Sequence, residues 1–373
     1  MKKVWSAING YMHITDKWLM LFCLVASALS VLLLTGLYNS DLSNMTRIVT
    51  QTGAVLIGLA AAIVISCMDY NILLKLWKIY LPLCLILVAA TFVVGKARGG
   101  DQAWLEFSLA GRSFSLQPSE LLKISFITTM ALHISKVEDE LNRLPAVLLL
   151  CLHGGLHIVV INFQDSGTAL IYAVIFLIML FCAGIQWRYI LVAAGGVAAM
   201  APILWNYVLS EYHRMRILII FNPELDPDYA YQQLRSAIAL GTGGIEGTGL
   251  FAGKHVPVPE VYNDFIFSFI GESLGFMGCI GTILLLLAIA LKVLYNSSIA
   301  KDTTGRFICI GVFAMISSQT IVNVGMCLGV MPVIGVTLPF LSCGGTAVLS
   351  MYIGLGLVLS VYSHSNTALF YEK

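Results

Sequence analysis

The chain has 373 residues, of which 58% are hydrophobic and only 11% are charged, and its mean hydropathy is +0.88. These values exclude an ordinary water-soluble globular protein and predict an integral membrane protein. The formal net charge of +1 gives no reason to expect nucleic-acid binding. No polar block is long enough to form a separate soluble domain, so we expect one transmembrane domain over residues 1–373.

Apolar runs close to the length of a membrane-spanning helix, about 20 residues, recur from Leu19 to the C-terminus. They predict an all-α polytopic membrane protein with about ten transmembrane helices. The expected spans are residues 19–37, 48–67, 78–95, 117–134, 145–162, 167–184, 189–208, 263–292, 307–330 and 340–363. The start of the chain lacks a short apolar segment followed by a small-residue cleavage site, so we expect the first span to be retained.

An even number of spans places both termini on one side of the membrane. The segments on that side hold twelve Lys and Arg residues, and the opposite segments hold eight, seven of them in two long loops. Because long loops are translocated largely regardless of their charge, the short loops decide the orientation. We therefore expect cytoplasmic N- and C-termini and two long loops outside.

The two long outer loops exceed the usual length of a connection and are therefore expected to be functional. They run from Lys96 to Leu116 and from Leu209 to Asn263. The second, about residues 209–262, has many Arg, Asp, Gln, Tyr and Gly residues but few flexible Ser/Gly repeats, which predicts an ordered structure. Its glycine-rich part, Gly241 to Gly249, lacks the Gly-Lys-Ser/Thr ending of a nucleotide-binding loop.

Asp264 lies where the second long loop enters an apolar segment. If that segment is helical from Asp264 onwards, residues three and four apart share one face and form a polar stripe. The stripe comprises Asp264, Ser268, Gly271, Glu272 and Gly275. A carboxylate beside hydrocarbon is costly and usually faces a cavity with a functional role, so Asp264 is a candidate catalytic or ligand-binding residue. The alternative is that Asp264 only ends a loop at the membrane surface.

Other polar side chains at the predicted spans have both a functional and a structural interpretation. Glu120 and Lys123 are three residues apart and can pair on one helix face. Lys123 then either belongs to a structural ion pair or faces the outer cavity as a cation for an anionic substrate. Asp165 begins a predicted helix, where capping is the simplest role. Trp104 is either an interfacial anchor or a platform on which a sugar stacks.

Two histidines, His153 and His157, are four residues apart in the fifth predicted span. This spacing permits metal binding, but no acid or third ligand accompanies the pair. Hydrogen bonds between helices are therefore the favoured interpretation.

The segment from Gly329 to Thr346 interrupts the apolar pattern near the end of the chain with two prolines and four glycines. Irregular backbone at membrane depth is stable only when it is buried in protein or lines a cavity. We therefore expect a re-entrant or broken element on the same side as the long loops.

Several motifs, in the same order and over nearly the whole chain, resemble the shape, elongation, division and sporulation (SEDS) family of bacterial cell-wall polymerases, which includes RodA, FtsW and SpoVE. The motifs are Trp104 with Gln117–Lys123, Asp165–Leu170, Asn222–Glu224, Gln233–Gly249, Pro259–Gly275 and Gly329–Gly345. The length and the short termini are more similar to the rod-shape members than to the division members. The chain departs from the family pattern at Ala103, Phe163–Ser166, Ser273 and Cys343.

The resemblance implies a peptidoglycan glycosyltransferase that polymerises lipid II, a disaccharide-pentapeptide on undecaprenyl pyrophosphate, at the outer face of the bacterial cytoplasmic membrane. The acceptor sugar hydroxyl must lose a proton during attack, which requires a base within hydrogen-bond reach, and the matching residue is Asp264. The leaving pyrophosphate needs cations, for which Lys123, Arg214 and Arg216 are candidates. The matching motifs also imply substrate binding by Trp104, Glu120, Asp165, Gln233, Ser236, Glu260, Glu272, Ser342 and Gly344.

The resemblance also implies lipid II, membrane lipids and a class B penicillin-binding protein as partners, and no nucleic acid. A divalent cation, Mg²⁺ or Mn²⁺, between the pyrophosphate and acidic residues is an open alternative, because no ligand cluster in the sequence requires one. Two other functions are also open. Broken helices and buried charges occur in transporters such as a lipid II flippase, and a non-catalytic scaffold would recruit a cell-wall synthase. The sequence leaves a role in elongation, division or sporulation undecided.

Overall fold

The computed structural model of the chain describes residues 14–98, 101–109 and 112–371. Most of these residues are helical, which confirms the predicted all-α architecture. The helices are α1 (Lys17–Asn39), α2 (Met45–Cys67), α3 (Tyr70–Lys75), α4 (Trp77–Val94), α5 (Pro118–Lys136), α6 (Leu144–Asn162), α7 (Ser166–Ala183), α8 (Trp187–Ile203), α9 (Glu211–Phe221), α10 (Pro227–Gly243), α11 (Ile266–Ser298), α12 (Thr303–Cys327) and α13 (Gly345–Tyr371). A π-helical turn, Leu204–Val208, extends α8, and single 3₁₀ turns occupy Glu138–Glu140 and Pro223–Leu225.

Within the described ranges, nine helices are long and apolar enough to cross a membrane, and the protein is therefore a multi-pass membrane protein. They match nine of the predicted spans. The remaining predicted span, residues 117–134, corresponds to α5, a less apolar helix that carries Glu120 and Lys123. Fourteen of its 19 residues are buried, because α5 packs against α4, α12 and α13. A helix surrounded by protein can hold polar residues at membrane depth.

The first long outer loop forms a small antiparallel sheet, which we did not predict from the sequence. Its strands, in sheet order, are β1 (Lys96–Arg98), β2 (Asp101–Leu109) and β3 (Arg112–Leu116). Ala103 and Leu105 are buried, whereas Trp104 between them is only partly buried. This alternation is the one expected of a strand with one covered face. The sheet places Trp104 opposite Lys96, between the end of α4 and the beginning of α5.

The second long outer loop contains the helices α9 and α10. The Ser210 hydroxyl accepts a hydrogen bond from the amide of His213 (3.4 Å) and caps α9. The Asp226 carboxylate accepts one from the amide of Tyr229 (3.3 Å) and caps α10. Pro227 occupies the first position of α10, where its missing N–H would have had no partner within the helix. The region is therefore built of capped helices.

The helix α11 is broken at Gly275, whose backbone angles are φ 68° and ψ −167°. The freed backbone is paired with the loop after α10, since the amide of Phe276 donates a hydrogen bond to the carbonyl of Gly244 (2.9 Å). A Cβ atom at position 275 would lie 2.3 Å from the carbonyl oxygen of Ile245. Only glycine fits both the positive φ angle and this close approach.

The irregular segment between α12 and α13, residues 328–344, packs against the loop that precedes α11. The Ser342 hydroxyl accepts a hydrogen bond from the amide of Leu338 (2.8 Å) and donates one to the carbonyl of Asn263 (2.5 Å). The amide of Cys343 donates to the carbonyl of Tyr262 (2.9 Å). The predicted broken element is thus present, and several of its backbone polar groups are paired with protein, as irregular backbone at membrane depth requires.

Candidate active site

Asp264 lies in the last turn of the loop before α11. Its amide donates a hydrogen bond to the carbonyl of Glu260 (3.0 Å), which closes a tight turn in which Glu260 has a positive φ of 53°. Its carbonyl accepts a hydrogen bond from Nδ2 of Asn323 on α12 (2.7 Å), and the same Nδ2 donates to the carbonyl of Val336 (2.7 Å). Asn323 thereby joins the backbone of Asp264 to the segment between α12 and α13.

The carboxylate of Asp264 has no ion-pair partner within the described residues. Its Oδ1 atom is enclosed and accepts no hydrogen bond there. Its Oδ2 atom faces Gly335, where a Cβ atom would lie 3.7 Å away. An enclosed acceptor without a donor lowers the stability of the fold, and such groups usually have a functional reason. The backbone of Asp264 is fixed while its carboxylate is left available.

The electrostatic surroundings raise the pKa of Asp264 from its ordinary value to about 7. Burial is the largest cause, and the negative charges of Glu260 and Asp165 act in the same direction. Arg216 acts in the opposite direction and favours the ionised form. A carboxylate with a pKa near neutrality is well suited to accept a proton as a general base.

Asp165 caps α7, as the sequence predicted. Its Oδ1 accepts a hydrogen bond from the amide of Thr168 (2.9 Å), and its Oδ2 accepts bonds from the Thr168 hydroxyl (2.6 Å) and from Nε2 of Gln117 (3.2 Å). Burial raises the pKa of Asp165, and the charge of Glu120 raises it further. Asp165 is close enough to affect Asp264 electrostatically, but all its described hydrogen bonds are structural.

The helix α9 carries the two predicted arginines. The guanidinium of Arg216 lies over the ring of Tyr212, with 4.1 Å between Cζ and the ring centroid. The Nε atom of Arg214 is enclosed and has no hydrogen-bond partner among the described residues. Nε2 of His213 lies 3.1 Å from the Ser166 hydroxyl. This contact places α9 beside the beginning of α7. Of the two arginines, Arg216 is the one whose charge acts on Asp264.

Glu120 and Lys123 form a buried ion pair, with 2.7 Å between Oε1 and Nζ. The Ser350 hydroxyl donates to the other oxygen of Glu120 (2.9 Å), and Lys123 is 0% exposed. The alternative in which Lys123 faces an open outer cavity is therefore wrong, because its ammonium group is enclosed with the carboxylate of Glu120. The predicted ion pair is therefore present, and a substrate-binding role for either residue stays a prediction.

Gln233 and Ser236 connect α10 to its neighbours. Nε2 of Gln233 donates to the carbonyl of Met331 (2.7 Å), and the Ser236 hydroxyl donates to the carbonyl of Cys327 (2.7 Å). The hydroxyls of Ser236 and Ser268 are 2.6 Å apart. Both predicted substrate-binding residues are buried and use their polar atoms within the protein, so their described contacts position α10 against α11 and α12.

The polar stripe predicted along α11 does not include Asp264, because the helix begins at Ile266. Glu272, one member of that stripe, faces the loop after α10. Its Oε1 accepts a hydrogen bond from the amide of Val256 (2.7 Å) and lies 3.5 Å from Nδ1 of His255. Its described contacts hold the second long loop on α11, and within the described ranges no hydrogen bond or ion pair joins it to Asp264.

Ser342 and Gly344, also predicted to bind substrate, belong to the segment that packs under Asp264. Ser342 is buried and joined to the loop before α11, as described above. The amide of Gly344 donates to Oε1 of Gln51 (3.2 Å), whose Nε2 donates to the carbonyl of Ser342 (3.1 Å). These residues therefore connect α2 to the segment between α12 and α13, which packs under Asp264.

Four residues at the site were not selected from the sequence: Asn323, Gly335, Arg47 and Tyr262. Cζ of Arg47 lies 3.4 Å from the centroid of the Tyr262 ring. Burial raises the pKa of Tyr262, as does its hydrogen bond to Glu260. Asn323 had a signal in the sequence, since an amide inside an apolar span usually has a partner. No sequence pattern indicates the stacking of Arg47 on Tyr262, because the two residues are more than two hundred positions apart.

Two places are relevant to metal binding, namely the pair His153 and His157 and the acidic residues near the proposed base. His153 bonds to α5 instead: its Nδ1 lies 3.1 Å from Nδ1 of His133, and its Nε2 lies 3.3 Å from the Thr129 hydroxyl. The predicted hydrogen bonding between helices is confirmed. The described part of the chain contains no group of three or more His, Cys, Asp or Glu residues that could hold a metal. A Mg²⁺ or Mn²⁺ ion bound together with substrate stays an open alternative.

Comparison with known proteins identifies the family. The family model for FtsW, RodA and SpoVE, described as cell cycle protein, matches residues 13–367. The chain belongs to this family. The resemblance predicted from the motifs is thereby confirmed, and it covers almost the whole chain.

Relatives in the FtsW/RodA/SpoVE family include two with similar length. The peptidoglycan glycosyltransferase MrdB of Escherichia coli K12 is 32% identical over 370 residues, covering 97% of this chain and 96% of that protein. The probable peptidoglycan glycosyltransferase FtsW of Geobacter metallireducens is 35% identical over 321 residues, covering 82% of each.

Solved structures share the fold. A chain of a peptidoglycan synthase complex, described as coordinating polymerization and crosslinking, matches with a TM-score of 0.80 and 26% identity, covering 94% of this chain and 98% of that chain. The rod shape determining protein RodA of Thermus thermophilus matches with a TM-score of 0.68 and 26% identity, covering 93% and 96%.

Proposed function

We propose that this chain is a peptidoglycan glycosyltransferase that polymerises lipid II, with Asp264 as the general base. The observation that carries the proposal is a half-buried carboxylate whose Oδ1 is enclosed without a hydrogen-bond partner among the described residues. Its pKa is raised to about 7, and the relatives of the chain are named peptidoglycan glycosyltransferases. A purely structural acid would be expected to have its oxygens paired, as those of Asp165 are.

The proposed reaction joins two sugar chains held on lipid carriers. The acceptor hydroxyl transfers its proton to Asp264 as its oxygen bonds to the anomeric carbon of the donor. The bond from that carbon to the pyrophosphate breaks, and the pyrophosphate leaves with the electron pair. Arg216 is the cation best placed to bind the leaving group, because its charge already acts at Asp264 and guanidinium binds phosphate oxygens in pairs.

We propose that Asp264 faces the outside of a bacterial cytoplasmic membrane and that both termini are cytoplasmic. Asp264 lies at the same end of the bundle as the two long outer loops, and the short loops at the other end hold the excess of Lys and Arg. This orientation suits a carrier-linked substrate, since the polyprenyl tails stay in the bilayer while the sugars meet above it. A class B penicillin-binding protein is the proposed partner, supported by the similarity to a synthase complex.

Incubating the purified chain with fluorescent lipid II tests the proposal against its alternatives. A polymerase gives glycan ladders without any partner. A flippase moves lipid II across liposomes and gives no ladder, whereas a scaffold does neither. Translocation without ladders, or no reaction at all under conditions in which E. coli MrdB is active, would exclude the proposed function.

Polymerisation is expected to increase with pH between about 6 and 8. The pKa of Asp264 is raised to about 7, so the carboxylate holds a proton below that pH and accepts one above it. The measurement is kcat/KM for lipid II, which reports the ionisation of the free enzyme, with lipid II binding measured separately at each pH. A rate that stays constant from about pH 5.5 to 8 would contradict the assignment of Asp264.

The pH profile also tests the electrostatic role of Arg216. In Arg216→Gln the midpoint should move to higher pH, because Arg216 lowers the pKa of Asp264. Arg188→Gln, which removes an exposed cation in the first turn of α8, is the matched control and should leave the midpoint unchanged.

Asn323→Ala is expected to lower kcat about tenfold or more, because a small displacement of a catalytic group has a large effect on rate. The variant loses both hydrogen bonds that fix the backbone of Asp264 and the carbonyl of Val336. A shifted pH midpoint would accompany the loss, since Asp264 would move relative to its charged neighbours. Gln319→Ala, one turn earlier on α12 and also buried, is the control. Equal effects of both substitutions would show that Asn323 only stabilises the fold.

A further inference from the structure

A polar cavity of ≈ 520 Å³ lies at the end of the bundle opposite Asp264. It is formed where the loop between α11 and α12 joins the two helices, and it is lined by Ser297, Ser298, Ala300, Lys301, Asp302, Thr303 and Arg306. The helix α11 begins beside Asp264, and the part that follows the break at Gly275, residues 276–298, is roughly 35 Å long, which is enough to cross the hydrocarbon core. The cavity therefore belongs to the other face of the membrane and has no part in the proposed reaction.

The cavity has an excess of positive charge. Lys301 and Arg306 are exposed, and neither forms an ion pair within the described residues. The one acid, Asp302, is already bonded through both oxygens: Oδ1 accepts from the amide of Gly305 (2.7 Å) and Oδ2 accepts from the Tyr70 hydroxyl (2.7 Å). The lining thus offers two cations to an anion, while its carboxylate is fixed against the protein.

The cavity lies at the depth of the lipid headgroups. Tyr295, 54% exposed, is in the last turn of α11, one turn below Ser298. Tyrosine and tryptophan side chains prefer the boundary between hydrocarbon and headgroups, and Tyr295 marks that boundary beside the cavity. Below it, Leu287 and Leu291 are exposed on the same helix and offer an apolar surface to acyl chains.

We propose that this cavity binds the phosphate of an anionic phospholipid, with Lys301 and Arg306 as its cationic partners and the acyl chains along α11. Basic pockets at helix ends recognise acidic headgroups in this way. A free phosphate shares the headgroup chemistry but would not use the apolar surface below. The observation is independent of Asp264, so this proposal and the glycosyltransferase proposal can fail separately.

The test is native mass spectrometry of the purified full-length chain with added phosphatidylglycerol or phosphatidylcholine. The wild type should retain phosphatidylglycerol preferentially, and Lys301→Gln/Arg306→Gln should lose about tenfold in retention or more, because each basic residue near a membrane surface contributes to anionic lipid binding. Lys75→Gln/Lys78→Gln is the matched control. It removes the same charge from exposed residues at the same end of the bundle that do not line the cavity, and it should change retention less than about twofold.

Three results would overturn the proposal. Equal retention of the two lipids by the wild type would show no selection for charge. An equal loss in the control variant would show a diffuse surface effect rather than a cavity. Retention of inorganic phosphate by the wild type as strong as that of phosphatidylglycerol at equal concentration would show that the acyl chains contribute nothing and would identify a soluble phosphate as the ligand. The single variants Lys301→Gln and Arg306→Gln should each lose part of the retention, which keeps the test valid if the double variant is unstable.

Discussion

Asp264→Asn is expected to abolish the polymerisation of lipid II while the chain stays folded and binds lipid II. The amide has the size of the carboxylate but cannot accept the proton of the sugar hydroxyl. General-base catalysis contributes about a hundredfold to ten-thousandfold in rate, and we expect a loss of that order. The hydrogen bonds that fix position 264 use its backbone amide and carbonyl, so the substitution leaves them in place. The measurement is the yield of glycan chains from labelled lipid II near neutral pH.

Thermal stability is the internal control for this variant. The pKa of Asp264 is raised to about 7 in the folded chain, above its ordinary value. The folded state therefore binds the proton more tightly than the unfolded state, and the resulting stabilisation decreases as the pH rises towards 7. Asn carries no charge at any pH. The melting temperature of Asp264→Asn relative to the wild type should consequently be higher at about pH 8 than at about pH 6.

A charge-matched control separates the effect of losing the general base from the effect of losing one negative charge. Asp228→Asn changes an exposed acid in the first turn of α10, and this variant should polymerise like the wild type. Polymerisation by Asp264→Asn at more than a few per cent of the wild-type rate would refute the role of Asp264. A large drop in its melting temperature would instead assign Asp264 to the fold.

The helices of this fold are readable from the sequence because lipid imposes a simple requirement on each of them. A spanning helix must satisfy its backbone internally and present apolar side chains over about 20 residues. The predicted span 145–162 is thus observed as Leu144–Asn162, and Asp165 is found at its expected cap. Even the less apolar α5, Pro118–Lys136, matches a span, residues 117–134, that was predicted from the apolar runs.

The arrangement of the site depends on tertiary contacts that no local pattern contains. Whether Asp264 belongs to α11 or to the preceding turn is decided by the positive φ of Glu260 and by the hydrogen bond that Asn323 donates to the carbonyl of Asp264. In the strand β2 after α4, buried and partly buried side chains alternate as is typical of strands. This pattern is short, however, and lies between two membrane spans. Motif membership offered Asp264 and Gln233 alike as site residues, but only the structure shows that Oδ1 of Asp264 accepts no hydrogen bond among the described residues, whereas Nε2 of Gln233 is bonded to the carbonyl of Met331.

Lys123→Ala is expected to destabilise the protein strongly. The substitution leaves the carboxylate of Glu120 buried, with the Ser350 hydroxyl as its one remaining side-chain donor among the described residues. Breaking a fully buried ion pair by removing one partner typically costs about 3–5 kcal/mol. The melting temperature in detergent should therefore fall by several degrees or more, roughly in line with that loss. Polymerisation should fall with it, because α5 packs against α12, which positions Asp264 through Asn323.

The double variant Glu120→Gln/Lys123→Met separates the ion pair from a substrate-binding role. It removes both charges while keeping the approximate volume, and such replacements are often neutral or stabilising. Because the two residues are coupled, changing both should recover most of the melting temperature that Lys123→Ala loses. We also expect a KM for lipid II within about twofold of the wild type, since a purely structural pair does not contact the substrate. If the double variant is stable but its KM for lipid II is much higher, the ammonium group of Lys123 reaches the pyrophosphate during the reaction. The pair would then have to open when substrate binds.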